Sequence, residues 1–105
     1  MKKVTGIKGL FGQTNYYDES GNKVGESWPG LFSGDNTYYD ADGNKAFSSH
    51  RGILAEDIYT DNDGDEIGRS YHGLFGQTNI YDNDGLVGET YDTLLGDTTY
   101  FDDDF

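Results

Sequence analysis

The sequence predicts an all-β fold: five tandem β-hairpin repeats of about 21 residues, closed into a ring or barrel by pairing of the terminal half-repeats. Three observations carry this expectation. A unit opening on Gly-Leu-Phe or Gly-Ile-Leu recurs at Gly9, Gly30, Gly52 and Gly73. No stretch has a useful helical period, and glycine every few residues would break a helix. The chain opens on the second half of a unit (KKVTGIK) and closes on the first half of another (TLLGDTTYFDDDF), so the fifth unit is completed only if the ends meet.

The elements follow in order within one repeat domain: a half-unit 1–8, units 9–29, 30–51, 52–72 and 73–92, and a half-unit 93–105. In the unit 9–29, TNYYD reads as a short strand, because Thr and Tyr fit a pleated surface. ESGN is a turn, with polar side chains to cap the backbone and glycine to supply positive φ. KVGES is the returning strand, and WPGLFS is a second corner punctuated by Pro and Gly.

Equivalent positions form columns. Leu10, Leu31, Ile53, Leu74 and Leu94 make one, and Phe11, Phe32, Leu54, Phe75 and Leu95 the next. These pairs are the most uniformly apolar, so they are expected at the centre of the core. Alternation places Tyr16, Tyr38, Tyr59, Ile80 and Tyr100 on one strand face, with Tyr17, Tyr39, Thr60, Tyr81 and Phe101 on the other. The tyrosines are expected at the core margin, where a hydroxyl can reach a partner. Val4, Val24, Ala46, Ile67 and Leu86 or Val87 come from the returning strands. Ile7, Trp28, His50, Tyr71 and Tyr91, two residues before each unit, differ from repeat to repeat. They either fill loop-side gaps or line pockets whose walls vary along the array.

Closure follows from the ends. Lys3-Val4 matches Lys23-Val24, and Tyr100-Phe101-Asp102 matches Tyr16-Tyr17-Asp18. Pairing them removes both open edges and brings Lys2 and Lys3 near Asp102, Asp103 and Asp104. An open superhelical hairpin solenoid is the alternative. A third arrangement passes the same pairing to a neighbouring molecule, giving a self-associating oligomer instead of a monomeric ring.

Composition narrows the function. The net charge is −13, which argues against nucleic-acid binding, since phosphate contacts need a basic surface. The acidity is uneven: residues 1–30 carry +1, whereas residues 70–105 hold eight acids and no Lys or Arg. A solvating surface is the plain reading, with cation binding or a decoy for a basic partner as rivals. There is no cysteine, hence no disulfide framework. No apolar run is long enough for a membrane helix or a secretory signal, so the expectation is a protein without a membrane partner, cytoplasmic or a fragment of a larger protein.

Candidate chemistry is sparse. Asp61, Asp63 and Asp65 place oxygen ligands at alternate positions, as in a calcium loop, and Asp82 and Asp84 repeat part of the pattern. The same location in sister repeats (ESGN, ADGN) serves as an ordinary turn. His50 and His72 lack an identifiable second pair of metal ligands. Serines and acids are too numerous for any triad to carry information. The reading is a non-enzyme without a cofactor.

The segments YYDESGNKVG, YYDADGNKAF and IYDNDGLVG resemble the cell-wall-binding repeats of choline-binding proteins and the related glucan-binding repeats, and more weakly the YD repeats of bacterial toxins. The resemblance implies stacked hairpins that bind choline or glucan between aromatic residues of adjacent repeats. The family's leading Trp falls near Thr14, Asp35/Asn36 and Gln77/Thr78, so the module is carried over and its ligand is not. The expected function is a non-catalytic repeat module that recognises a glycan or protein surface through aromatic pockets between repeats. Candidate binding residues are Trp28, His50, Tyr71, Tyr91, Tyr16, Tyr38 and Tyr59. The alternative is a structural protein that self-associates through its complementary terminal half-repeats.

Overall fold

The computed structural model describes residues 2–93 and 96–101. Ten strands follow in chain order: β1 (Lys2–Lys8), β2 (Thr14–Tyr17), β3 (Lys23–Pro29), β4 (Asn36–Asp40), β5 (Lys45–Arg51), β6 (Asp57–Thr60), β7 (Glu66–His72), β8 (Thr78–Asp82), β9 (Gly85–Asp92) and β10 (Gly96–Phe101). Each pairs antiparallel with its chain neighbours, and β10 pairs with β1, so the sheet closes into a barrel. Closure removes the open edges of a hairpin stack. No helix among the described residues is long and apolar enough to cross a membrane.

The turns form for the reason their composition implies. Asp18 Oδ1 accepts the backbone amides of Ser20 and Asn22, each at 2.9 Å. Asp40 and Asp61 repeat the arrangement, and Asp82 caps a shorter turn through Asp84 and Gly85. Gly21, Gly43 and Gly64 supply φ of 83°, 86° and 88°. In each of these four hairpins the ladder shifts by one residue near the turn, as between Tyr16 and Tyr17. Such a bulge increases local twist and helps a short strand curve into a barrel wall.

The register identifies the inner face. Tyr16 lies opposite Gly6 and Gly25, and Tyr38 opposite Ser27 and Phe47. Tyr59 lies opposite Ser49 and Gly68, and Ile80 opposite Ser70 and Gly88. Cross-strand partners share a face, so these residues form one continuous layer. Ser27, Ser49 and Ser70 are buried. Tyr16 and Tyr59 share hydrogen bonds with Ser27 and Ser70 at 2.9 and 3.1 Å. Tyr38 stacks on Phe47 at 4.5 Å and touches the rings of Tyr16 and Tyr59, both at 6.3 Å. The core is therefore an aromatic cluster inside the barrel, with serine hydroxyls as its partners.

This reverses one sequence expectation. The Leu/Phe columns are not the centre of the core: Leu10, Phe11, Leu31, Phe32, Ile53, Leu54, Leu74 and Phe75 are 75–102% exposed. They occupy connecting loops, where no sheet face can cover them. Leu94 and Leu95 lie outside the described residues. The tyrosines placed at the margin hold the interior instead.

The closing hairpin departs from the other four. Lys2, Lys3 and Val4 pair with Phe101, Tyr100 and Thr99, without a bulge. At the opposite end of β10, Asp92 pairs with Asp97, leaving a four-residue connection where Lys8 and Thr14 enclose five. The strand is thus advanced by one residue, which exchanges its two faces. Thr99, not Tyr100, takes the inner position and meets Thr90 Oγ1 at 2.7 Å. Tyr100 leaves the Tyr16 column for the outer wall, where it contacts Tyr91. The expected pairing of the ends holds, with its register one residue from the Lys23-Val24 template. The predicted approach of Lys2 and Lys3 to Asp102, Asp103 and Asp104 lies outside the described residues.

Candidate functional site

Antiparallel alternation sorts the connections. Those after β1, β3, β5, β7 and β9 lie at one end of the barrel, and the Asp-capped turns lie at the other. The first end carries the Leu/Phe tips and the second carries Asp18, Asp40, Asp61 and Asp82 with their neighbouring acids. The molecule therefore has an apolar end and an acidic end.

The tips point outward, and three of the loops are clasped from beneath by a folded-back side chain. Gly9 N–H donates to Gln13 O at 2.7 Å, and Gln13 Oε1 accepts Phe11 N–H at 3.0 Å. Gln77 does the same for Gly73 and Phe75, and Glu56 for Gly52 and Leu54. The folded-back side chain fills the space under the loop: a Cβ on Gly9 would stand 2.5 Å from Gln13 Cδ. Leu and Phe are left no inward route. Gly12 and Gly76 turn these loops with φ of 87° and 86°, and Ala55 adopts φ 65° at the equivalent place, a conformation costly for a residue with a Cβ. The recurrence of Gln or Glu four residues after the unit glycine is the sequence signal for this clasp.

Below the tips the inner wall is polar. Thr14, Asn36, Asp57 and Thr78 precede the aromatic layer by one inward position, and Asp97 joins them through the slip of β10. Burial raises the Asp97 carboxyl above the ordinary carboxylate range, Asp92 adds to this, and Lys8 and the Gly6 backbone oppose it. Burial likewise raises the Tyr16, Tyr38 and Tyr59 hydroxyls, and their serine partners partly offset it.

The seven candidate residues separate into two groups. Trp28, His50, Tyr71 and Tyr91 lie on the outer wall near the apolar end, one per repeat, and form a girdle. Two are steadied by the residue two positions earlier on the same face: Trp28 Nε1 donates to Glu26 Oε2 at 2.6 Å, and Tyr91 OH donates to Glu89 Oε2 at 2.7 Å. The Glu89 bond raises the Tyr91 hydroxyl, and the Trp28 bond lowers the Glu26 carboxyl. Tyr91 with Tyr100, and Tyr71 with Tyr81, meet edge to face at 6.0 and 5.8 Å. A shallow groove runs over Glu89, Tyr91, Thr98 and Tyr100. Tyr16, Tyr38 and Tyr59 stand on the other side of the wall, so they do not join this girdle in a pocket between repeats.

Asp61 Oδ1 is occupied by the amides of Asp63 and Asp65. Among the described residues no group of three or more His, Cys, Asp or Glu is arranged to hold a metal ion. The terminal half-repeats pair with each other within the chain through β1 and β10. Compared with protein families, curated proteins and solved structures, the chain matches none of them.

Proposed function

We propose that the chain is a non-catalytic binding module that recognises an apolar protein surface through the loop tips at one end of the barrel. One observation carries the reading: four described loops each expose an adjacent apolar pair, 75–102% accessible, at equivalent positions of a ring. A typical monomer's largest apolar patch is about 300–600 Å², and larger patches mark interaction sites. Each described tip pairs an aliphatic side chain with a second apolar one, phenyl in three of the four, which suits an apolar partner.

Retention on a phenyl-agarose column tests this. The wild-type chain is expected to be retained despite its net charge of −13, and Leu31→Ser/Phe32→Ser is expected to elute earlier with unchanged circular dichroism. Equal retention of the two would remove the basis for the proposal. The glycan reading keeps one specific support, the groove with Tyr91, Tyr100 and Glu89. Tyr91→Ala should then weaken binding to a glucan panel while leaving phenyl-agarose retention unchanged.

A further inference from the structure

We infer that the occupant of the apolar end is a second copy of this chain, docked head to head, an inference that rests on the loop tips being a binding surface. The argument begins with area. The eight described tip side chains present on the order of 1,000 Å² of apolar surface, at roughly 150 Å² or more for each aromatic. A stable interface buries about 800 Å² per partner, so the tips alone suffice for a dimer.

Spacing makes the ring self-complementary. Two strands separate successive loops, and strands lie about 4.8 Å apart, which sets neighbouring loops about 10 Å apart around the rim. A tip side chain of one copy can rest over the interval between two loops of the other, and the facing interval receives one in return. The same patch serves both partners, as an isologous two-fold contact requires.

The acidic turns set the orientation. The rim itself holds Lys8 and Arg51 against Asp35, Glu56, Asp57, Asp92 and Asp97, so its contact is left to the apolar tips. The acidic turns lie at the far end of a body measuring 26–32 Å along its axes. Head-to-head docking holds the two acidic ends farther apart than any other arrangement, well beyond the Debye length of about 8 Å. Side-by-side or tail-to-tail docking would bring them together.

Sedimentation equilibrium and cysteine pairing test the inference on the full chain. The wild type is expected to sediment at twice the chain mass at about 100 µM and to dissociate on dilution. Leu31→Asp/Phe32→Asp is expected to weaken association at least about tenfold, a step of about 1.4 kcal/mol. Lys23→Asp, at the acidic end, should leave it unchanged. The chain has no cysteine, so Ser33→Cys in a tip loop should form a disulfide dimer on mild oxidation and Ser20→Cys in an Asp-capped turn should not. A monomer at this concentration that is still retained on phenyl-agarose would overturn the second copy and leave the binding surface standing. Flotation of that monomer with phosphatidylcholine vesicles would then identify a bilayer as the occupant. Loss of retention as well would overturn both readings. Association that survives the tip substitutions, or crosslinking through Ser20→Cys, would also refute head-to-head docking.

Discussion

Replacing Tyr38 by Ala should remove the keystone of the barrel interior, whereas replacing Phe32 by Ala should do almost nothing. Tyr38 stacks on Phe47 at 4.5 Å and bridges Tyr16 and Tyr59. Truncating a packed aromatic side chain costs about 3–5 kcal/mol. The ring is half-buried rather than sealed, so the low end of that range applies. Its hydroxyl faces Ser49, itself 4% exposed, and leaving that buried hydroxyl without a neighbour adds up to about 1 kcal/mol. The expected loss is about 4 kcal/mol, a large part of the roughly 5–15 kcal/mol that holds a domain folded. Tyr38→Phe keeps the ring and should lose only about 1 kcal/mol. Phe32, 75% exposed on a loop tip, should change stability by no more than about 0.5 kcal/mol on truncation. Urea titration followed by tyrosine fluorescence measures all three. A Phe32→Ala loss equal to that of Tyr38→Ala would mean that the Leu/Phe pairs are the core and that the faces of the barrel are inverted.

Other outcomes follow from particular residues. Ala55→Gly should stabilise by about 1 kcal/mol in the same titration, because it relieves a positive φ of 65° in a loop whose sisters use glycine. Gly68→Ala should destabilise by about 1–3 kcal/mol, since its Cβ would stand 2.6 Å from the Tyr81 carbonyl oxygen. Raised hydroxyl pKa values at Tyr16 and Tyr59 mean that the folded chain holds protons the unfolded chain releases above about pH 10. Their contribution is complete below that pH and is lost as pH rises further, so the urea midpoint should fall steeply as pH rises above about 10, and less so in Tyr16→Phe/Tyr59→Phe. The raised Asp97 carboxyl works in the same sense at lower pH: its burial cost is present at neutral pH and is relieved as pH falls through its folded value, so Asp97→Asn should stabilise at pH 7 and gain little near pH 3. Amides of β1 and β10 should exchange as slowly as those of internal strands, and rapid exchange at Val4 and Thr99 would contradict closure.

Much of the architecture was legible in the residues. The recurring Asp-x-x-Gly segments specify turns because an Asp carboxylate can cap two amides and glycine can adopt positive φ, and both occur at Asp18, Asp40 and Asp61. Half a unit at each end specifies closure, because β1 and β10 are each other's missing strand. The outer girdle of Trp28, His50, Tyr71 and Tyr91 follows from strand alternation and the fixed distance from each unit start. These are local properties, carried by a few neighbouring residues or by the period itself.

What the residues could not reveal is which side of the wall is inside. Alternation divides each strand into two faces, but only the curvature of the closed sheet makes one concave. It chose the face where Tyr16, Tyr38 and Tyr59 meet glycine and serine, because there a ring can lie across a missing side chain and still find a hydroxyl. Uniform hydrophobicity suggested that Leu10/Phe11 and their equivalents were the core. The clasp of Gln13, Glu56 and Gln77 under their loops turned three of those pairs into solvent instead, through contacts that appear only once Gly9, Gly52 and Gly73 close onto them. The place of Asp97 and the exchange of Thr99 for Tyr100 depend on one residue of slip in the closing strand. With a side-chain period of two, that single step reverses a whole strand, and only the register of the assembled barrel determines it.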